Sequence, residues 1–259
     1  MRLSVFAAKI YIMKKIIFIF LLTTQIFFAQ ISFEKGNSLY QKGKYEQAIA
    51  EYESVLASKN HSAELYFNLG NCYYKLNKVA PAIYNYEKAL VLNPDDQEIA
   101  NNLKFAQKLQ IDEIKVVPQV GFSKMVHDFT SIFHYNTWAW ISVGFSTLFL
   151  LCFSGYYFSR LTFSKRIFFI GMFVLLFLLL ISVSSAISEK NHYENERPAI
   201  VFAEMVLVKS EPQNASNTVF TLHEGTKVFV LETVDNWKKI QLTDGTEGWI
   251  EKTAIKEVK

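Results

Sequence analysis

Two runs of about 22 residues, Thr137–Phe158 and Ile167–Ser188, contain no formally charged side chain. As helices each would be about 33 Å long, which matches the hydrocarbon thickness of a bilayer. The bland alternative is a pair of buried core helices. A chain of 259 residues, 20% of them charged, has too little other apolar material to cover two such helices on every face. Two transmembrane helices are therefore expected. Trp138 and Trp140 at one end of the first run, and Tyr156 and Tyr157 at the other, suit an interfacial aromatic belt. No ionisable residue falls within either run, which argues against transport or a proton relay.

The flanks set the sidedness. Arg160, Lys165 and Arg166 crowd the short connection 159–166, with no acidic residue among them. The positive-inside rule places that loop in the cytoplasm. Near the start, Lys14 and Lys15 precede the apolar stretch Ile16–Phe28, the layout of a secretory signal peptide over residues 13–29. Met13 stands just before it, so residues 1–12 read as an over-called start. A signal peptide sends the following segment outward, in agreement with the basic loop. The expectation is a two-pass protein of a bacterial inner membrane, with residues 30–136 and 189–259 in the periplasm. The net charge of +3 is too small to indicate a nucleic-acid partner. Cys72 and Cys152 fall in segments of different character, and no disulfide is expected.

The segment before the membrane repeats itself. Gly36 recurs as Gly70, Ala48 as Ala82, Tyr52 as Tyr86 and Leu56 as Leu90, at a step of 34 residues. Small residues at Gly70 and Ala82 would let two antiparallel helices approach, with Tyr86 filling the space between them. Gly43 and Asn77 fall in the turn of each hairpin, and Pro94 would end the second one. With Leu69, Gly70, Tyr73, Ala82, Tyr86, Ala89 and Pro94, the second copy resembles the tetratricopeptide repeat. Residues 30–110 are then an α-helical repeat domain, with Asp96–Leu109 as a helix that caps its open end or begins a degenerate third unit. In that family the first helix of each unit lines a concave face. Here it would carry Asn37, Asn68, Asn71 and Asn102, whose side chains both donate and accept and can hold the backbone of an extended peptide. Replacing Asn68 and Asn71 together by Ala is then expected to weaken partner capture and leave stability nearly unchanged; the plain alternative is that these residues only solvate an exposed face. Phe33 and Glu98 stand where the carboxylate-clamp subgroup has basic residues, which disfavours a C-terminal carboxylate as ligand.

Residues 198–258 change to short alternating apolar runs. Ala199–Val208, Asn217–Leu222, Lys227–Val234, Trp237–Leu242 and Gly248–Lys252 read as five strands. Leu222–Val228, Trp237 and Gly248-Trp249-Ile250 resemble the bacterial SH3-like domain, a small all-β barrel. Trp237 and Trp249 are its candidate ligand surface. Trp249 packing inside the barrel is the bland reading, and the favoured one.

The sequence offers no catalytic motif. His61, His127, His134, His192 and His223 show no metal-ligand spacing with one another or with a cysteine, and there is no Gly-rich phosphate loop. A non-enzyme without cofactor or metal is expected. The order of modules (signal peptide, two tetratricopeptide repeats, two spans, SH3-like domain) resembles the E-type proteins of the Bacteroides aerotolerance (Bat) operon. That resemblance implies an adaptor within an envelope complex linked to stress or oxygen tolerance. Its partners would include Bat proteins with von Willebrand-type domains. The alternative is a receptor that binds peptidoglycan or another cell-wall ligand through the SH3-like domain.

Overall fold

The computed structural model describes residues 30–114 and 121–259, so the expected signal peptide lies outside the described residues. Two compact units emerge. Pro198–Leu242 and Thr246–Lys259 join the described part of the segment that ends at Ile114, and most of the region between them forms the second unit.

The first unit begins with five helices: α1 over 30–41, α2 Tyr45–Ala57, α3 Ala63–Lys75, α4 Val79–Leu92 and α5 Gln97–Gln107. Side chains set their boundaries. Ser62 accepts a hydrogen bond from Leu65 N at the start of α3, and Asp96 accepts from Glu98 N and Ile99 N at the start of α5. Gly43 and Asn77 sit in equivalent turns and both have positive φ, 71° and 55°. The repeat signature has a steric cause. A Cβ on Gly36 would lie 2.5 Å from the Tyr52 ring, and one on Gly70 would lie 2.7 Å from the Tyr86 ring. Each glycine thus lets a tyrosine ring lie against helix backbone. Both rings are buried, as are Ala48 and Ala82.

The remainder of this unit is one seven-stranded antiparallel sheet, ordered β3-β2-β6-β5-β4-β1-β7. The strands are β1 Pro198–Val201, β2 Met205–Lys209, β3 Thr218–His223, β4 Lys227–Val234, β5 Trp237–Gln241, β6 Glu247–Glu251 and β7 Ile255–Glu257. Seven strands replace the five expected. The run Ala199–Val208 is two strands, because β1 pairs with β4 and β7 whereas β2 pairs with β3 and β6. Val208, Leu222, Val228, Ile240 and Ile250 fill the barrel interior.

The helices and the barrel share a core. All four residues of β1 are buried. Ala199 and Val201 point into the barrel, and Ile200 joins Val258 in the cluster built on Ile83, Ile99 and Leu103 of α4 and α5. Tyr84 and Phe202 meet edge to face at 5.5 Å. Polar contacts frame this apolar seam. The Lys227 ammonium lies 2.8 Å from both carboxylate oxygens of Glu87, which is buried. The Asp112 carboxylate accepts from His223 N at 2.6 Å, and both Thr226 Oγ1 and His223 Nδ1 lie 2.7 Å away. Gly225, at φ +88°, brings this turn so close that a Cβ would lie 2.9 Å from Val79. Two segments separated by the apolar helices in sequence thus make one folded body.

The second unit contains α6 Phe122–Thr130, α7 Tyr135–Phe158 and α8 Thr162–Asn195. The last two are long and apolar enough to cross a membrane, and only 6% of the most apolar stretch of each is buried. That burial is the reverse of what a soluble core helix shows. They pack as a hairpin, with Ser142 and Ser182 hydroxyls 2.8 Å apart between them. A Cβ on Gly155 would lie 2.7 Å from the Phe168 ring, so this glycine admits the ring. Trp140, Tyr156 and Tyr157 are exposed, as a lipid-facing belt requires. Trp138 departs from that expectation. It is buried, and its indole N–H donates to Thr130 O at 2.8 Å, so it packs α6 onto α7. Cys72 and Cys152 are both free thiols.

Candidate functional site

The four asparagines singled out in the repeats lie on α1, α3 and α5 and are all half-buried. They form two copies of one hydrogen-bonded unit. Tyr52 Oη donates to Asn37 Oδ1 at 2.7 Å, and Asn68 Nδ2 donates to the same oxygen at 3.1 Å. One repeat later, Tyr86 Oη donates to Asn71 Oδ1 at 2.7 Å, and Asn102 Nδ2 donates to it at 3.0 Å. Burial raises the pKa of both tyrosines, so each hydroxyl keeps its proton and acts as the donor. The asparagines are therefore structural as well as partly exposed. The expectation that their loss leaves stability unchanged is corrected, because Asn71→Ala would leave the buried Tyr86 hydroxyl without its acceptor.

The same geometry leaves something over. Both lone pairs of Asn37 Oδ1 and of Asn71 Oδ1 are consumed internally, whereas the two Nδ2 groups have no partner among the described residues. They are matched donors one repeat apart. Around Asn71 a cavity of about 370 Å³ is lined by Tyr40, Tyr74, Lys75, Glu98, Asn102 and Phe105, with Tyr86 beneath. Its walls are aromatic, and its rim carries one charge of each sign. Phe33 lies outside this cavity and packs on Tyr52, with ring centroids 5.8 Å apart. Sequence reasoning found the asparagines from the repeat register. It missed Tyr40, Tyr74 and Phe105, although the 34-residue step relates the two tyrosines.

On the barrel, strand alternation decides where the tryptophans face. Lys238 and Ile240 of β5, and Gly248 and Ile250 of β6, are buried, while Trp237 and Trp249 are half-exposed on the other face. The favoured reading that Trp249 packs the interior is overturned, since Ile250 occupies that place. Trp249 pairs in register with Lys239 and Lys209. Trp237 lines a cleft of about 450 Å³ with Met205, Leu207, Lys209, Glu251 and Thr253, and Trp249 is not among its lining residues.

The described residues contain no group of three His, Cys, Asp or Glu side chains arranged to hold a metal ion. Cys72 is a buried thiol whose pKa is pushed up to about 12 by desolvation.

Comparison with known families agrees with these two folds. Residues 36–77 match a family model described as a TPR repeat, and residues 63–96 match the tetratricopeptide repeat. Residues 206–256 match the bacterial SH3 domain. No curated protein matches the chain. The chain thus carries tetratricopeptide repeats and a bacterial SH3 domain, which pack together as one unit although a pair of apolar helices separates them in sequence.

Proposed function

We propose that the protein is a non-catalytic, membrane-anchored scaffold whose repeat groove holds an extended segment of a partner protein. The observation that carries this reading is the pair of unpartnered Asn37 and Asn71 amide groups, fixed one repeat apart, with an aromatic-walled cavity at Asn71. Such groups suit the carbonyls of an extended backbone. The α7–α8 hairpin would anchor the scaffold in a bacterial inner membrane. The shared core of residues 30–114 and 198–259 supports an even number of crossings between them, since both segments must be on one side. The basic loop and the expected signal peptide support the periplasm as that side. The order of repeats, apolar helices and SH3 domain supports membership of a Bat-type envelope complex linked to stress or oxygen tolerance. Bat proteins with von Willebrand-type domains would then be the partners.

Affinity capture from mild detergent tests the groove. Replacing Asn37 and Asn71 together by Ala is expected to weaken partner capture about ten-fold or more. It should also lower stability by about 1–3 kcal/mol, because the Tyr86 hydroxyl loses its acceptor. Tyr86→Phe is the control, since it breaks the same internal bond but leaves the asparagines in place; it should retain capture. Undiminished capture by the double variant would reduce the asparagines to an internal structural device.

The Trp237 cleft favours a second reading, a receptor for peptidoglycan or another wall ligand. Sedimentation of the purified protein with sacculi, lost in Trp237→Ala, would support it.

A further inference from the structure

The amide groups left over in the repeat groove are donors, and that restricts what can lie against them. We infer that the partner segment held there is proline-rich and lies in the groove as a polyproline II helix. The inference rests on the groove reading proposed above and names the chemistry of the occupant.

The first observation is a repeated stripe of rings and amides. Phe33, Asn37 and Tyr40 follow one another at i, i+4 and i+7 on α1, and Phe67, Asn71 and Tyr74 do so on α3, 34 residues later. All six are half-buried. Each phenylalanine lies against the tyrosine that donates to its asparagine. Phe33 meets Tyr52 with ring centroids 5.8 Å apart, and Phe67 meets Tyr86 at 6.0 Å. Each repeat therefore carries one amide with a ring on either side of it along the helix. Phe105 of α5, 52% exposed, adds another ring to the cavity at Asn71.

The second observation is the sign of the free groups. Asn37 Oδ1 accepts from Tyr52 and Asn68, and Asn71 Oδ1 accepts from Tyr86 and Asn102, so both amide oxygens are used. Each amide still presents its Nδ2 donor. The cavity is lined by one carboxylate, Glu98, which is exposed at the rim. An ordinary extended peptide brings N–H groups as well as carbonyls, and those covered by the groove would find few acceptors. Proline brings a carbonyl and no N–H. Its ring is apolar and packs on aromatic walls, the mode by which aromatic-lined grooves take polyproline II segments.

Spacing separates polyproline II from a β-strand. The Asn37–Asn68 bond holds α1 beside α3, and helices packed side by side lie about 8–10 Å apart. Three residues of polyproline II complete one turn and advance about 9 Å, so a carbonyl returns to the same side of the segment at that interval. In a β-strand the groups on one edge recur at about 7 Å, short of the helix step, and next at about 13 Å, beyond it. A polyproline II segment that crosses α1 and α3 thus meets both amides in register.

Fluorescence anisotropy of the intact protein in mild detergent, with a labelled oligoproline of about ten residues as probe, tests the inference. Wild type is expected to bind it at least roughly ten-fold more tightly than a labelled alanine–serine peptide of equal length. Asn71→Asp keeps an oxygen for Tyr86 and Asn102 but sets a carboxylate where the free donor stood. It should lose roughly ten-fold or more in affinity while keeping its circular dichroism spectrum. Phe105→Ala truncates an exposed ring, so the fold survives it, and it should lose affinity several-fold. Equal binding of the two peptides by wild type, or wild-type affinity in both variants, would overturn the inference. Partner capture by the Asn37 and Asn71 double variant separates the two failures. If capture depends on those asparagines and oligoproline does not bind, only the proline assignment falls. If capture is indifferent to them, the groove reading falls with it.

Discussion

Ala82→Glu is expected to destabilise the repeat domain by several kcal/mol. Ala82 is 1% exposed and lies in the core cluster with Tyr66, Ile83 and Tyr86. A glutamate there would both overpack the hairpin and carry a charge into an apolar cluster. Hydrogen exchange of the intact protein in detergent should show α3 and α4 opening orders of magnitude more often. The same experiment should show α7 and α8 unchanged, since they belong to the other unit. Wild-type protection in α3 and α4 would contradict the tight packing of Ala82 in this cluster.

The second large effect lies where the repeats meet the barrel. Asp112→Ala would strip three hydrogen bonds from the turn that joins β3 to β4, with a loss of about 3 kcal/mol or more. The site also predicts a pH dependence. Burial works to raise the pKa of Asp112, but hydrogen bonds from the His223 side chain and backbone and from Thr226 outweigh it and hold the carboxyl below the usual range. A carboxyl depressed in the folded state binds fewer protons than in the unfolded chain. Its contribution is complete above the ordinary value, about 3.9, and is lost as pH falls through the folded one. Calorimetry below about pH 4 should therefore show wild type losing stability more steeply than Asp112→Asn, which does not titrate. Parallel curves would show that Asp112 does not clamp the two domains.

These two sites differ sharply in how visible they are in the sequence. The repeat hairpin is legible because its constraint is local and steric. A glycine against a tyrosine ring recurs at a fixed step, and turn residues such as Gly43 and Asn77 mark the register. The asparagine face is half legible. Register places the residues, but the Asn37–Asn68 and Asn71–Asn102 bonds join neighbouring units, and no pattern within one unit announces them. The junction is hidden altogether. Asp112 and His223 are ordinary surface residue types 111 positions apart, and nothing in Glu87 foretells Lys227. The same contact explains why Ala199–Val208 misleads. Ile200 is apolar because helices cover its side of β1, which blurs the alternation that would have divided the run into two strands. Helix α6 escaped notice because nine residues of mixed polarity carry too short a pattern to stand out.

In the proposed topology, one folded body assembled from both sides of the α7–α8 hairpin in sequence would be exposed on the outer side of the membrane. Labelling by a membrane-impermeant maleimide tests it directly. In a background with Cys72 and Cys152 replaced by Ser, single cysteines would be placed by Lys42→Cys, Ala215→Cys and Lys165→Cys, all at exposed positions. In cells with a permeabilised outer membrane, the first two should label and the third only after the inner membrane is opened. Labelling of Lys42→Cys and Ala215→Cys from opposite sides would contradict the shared core and the scaffold built on it.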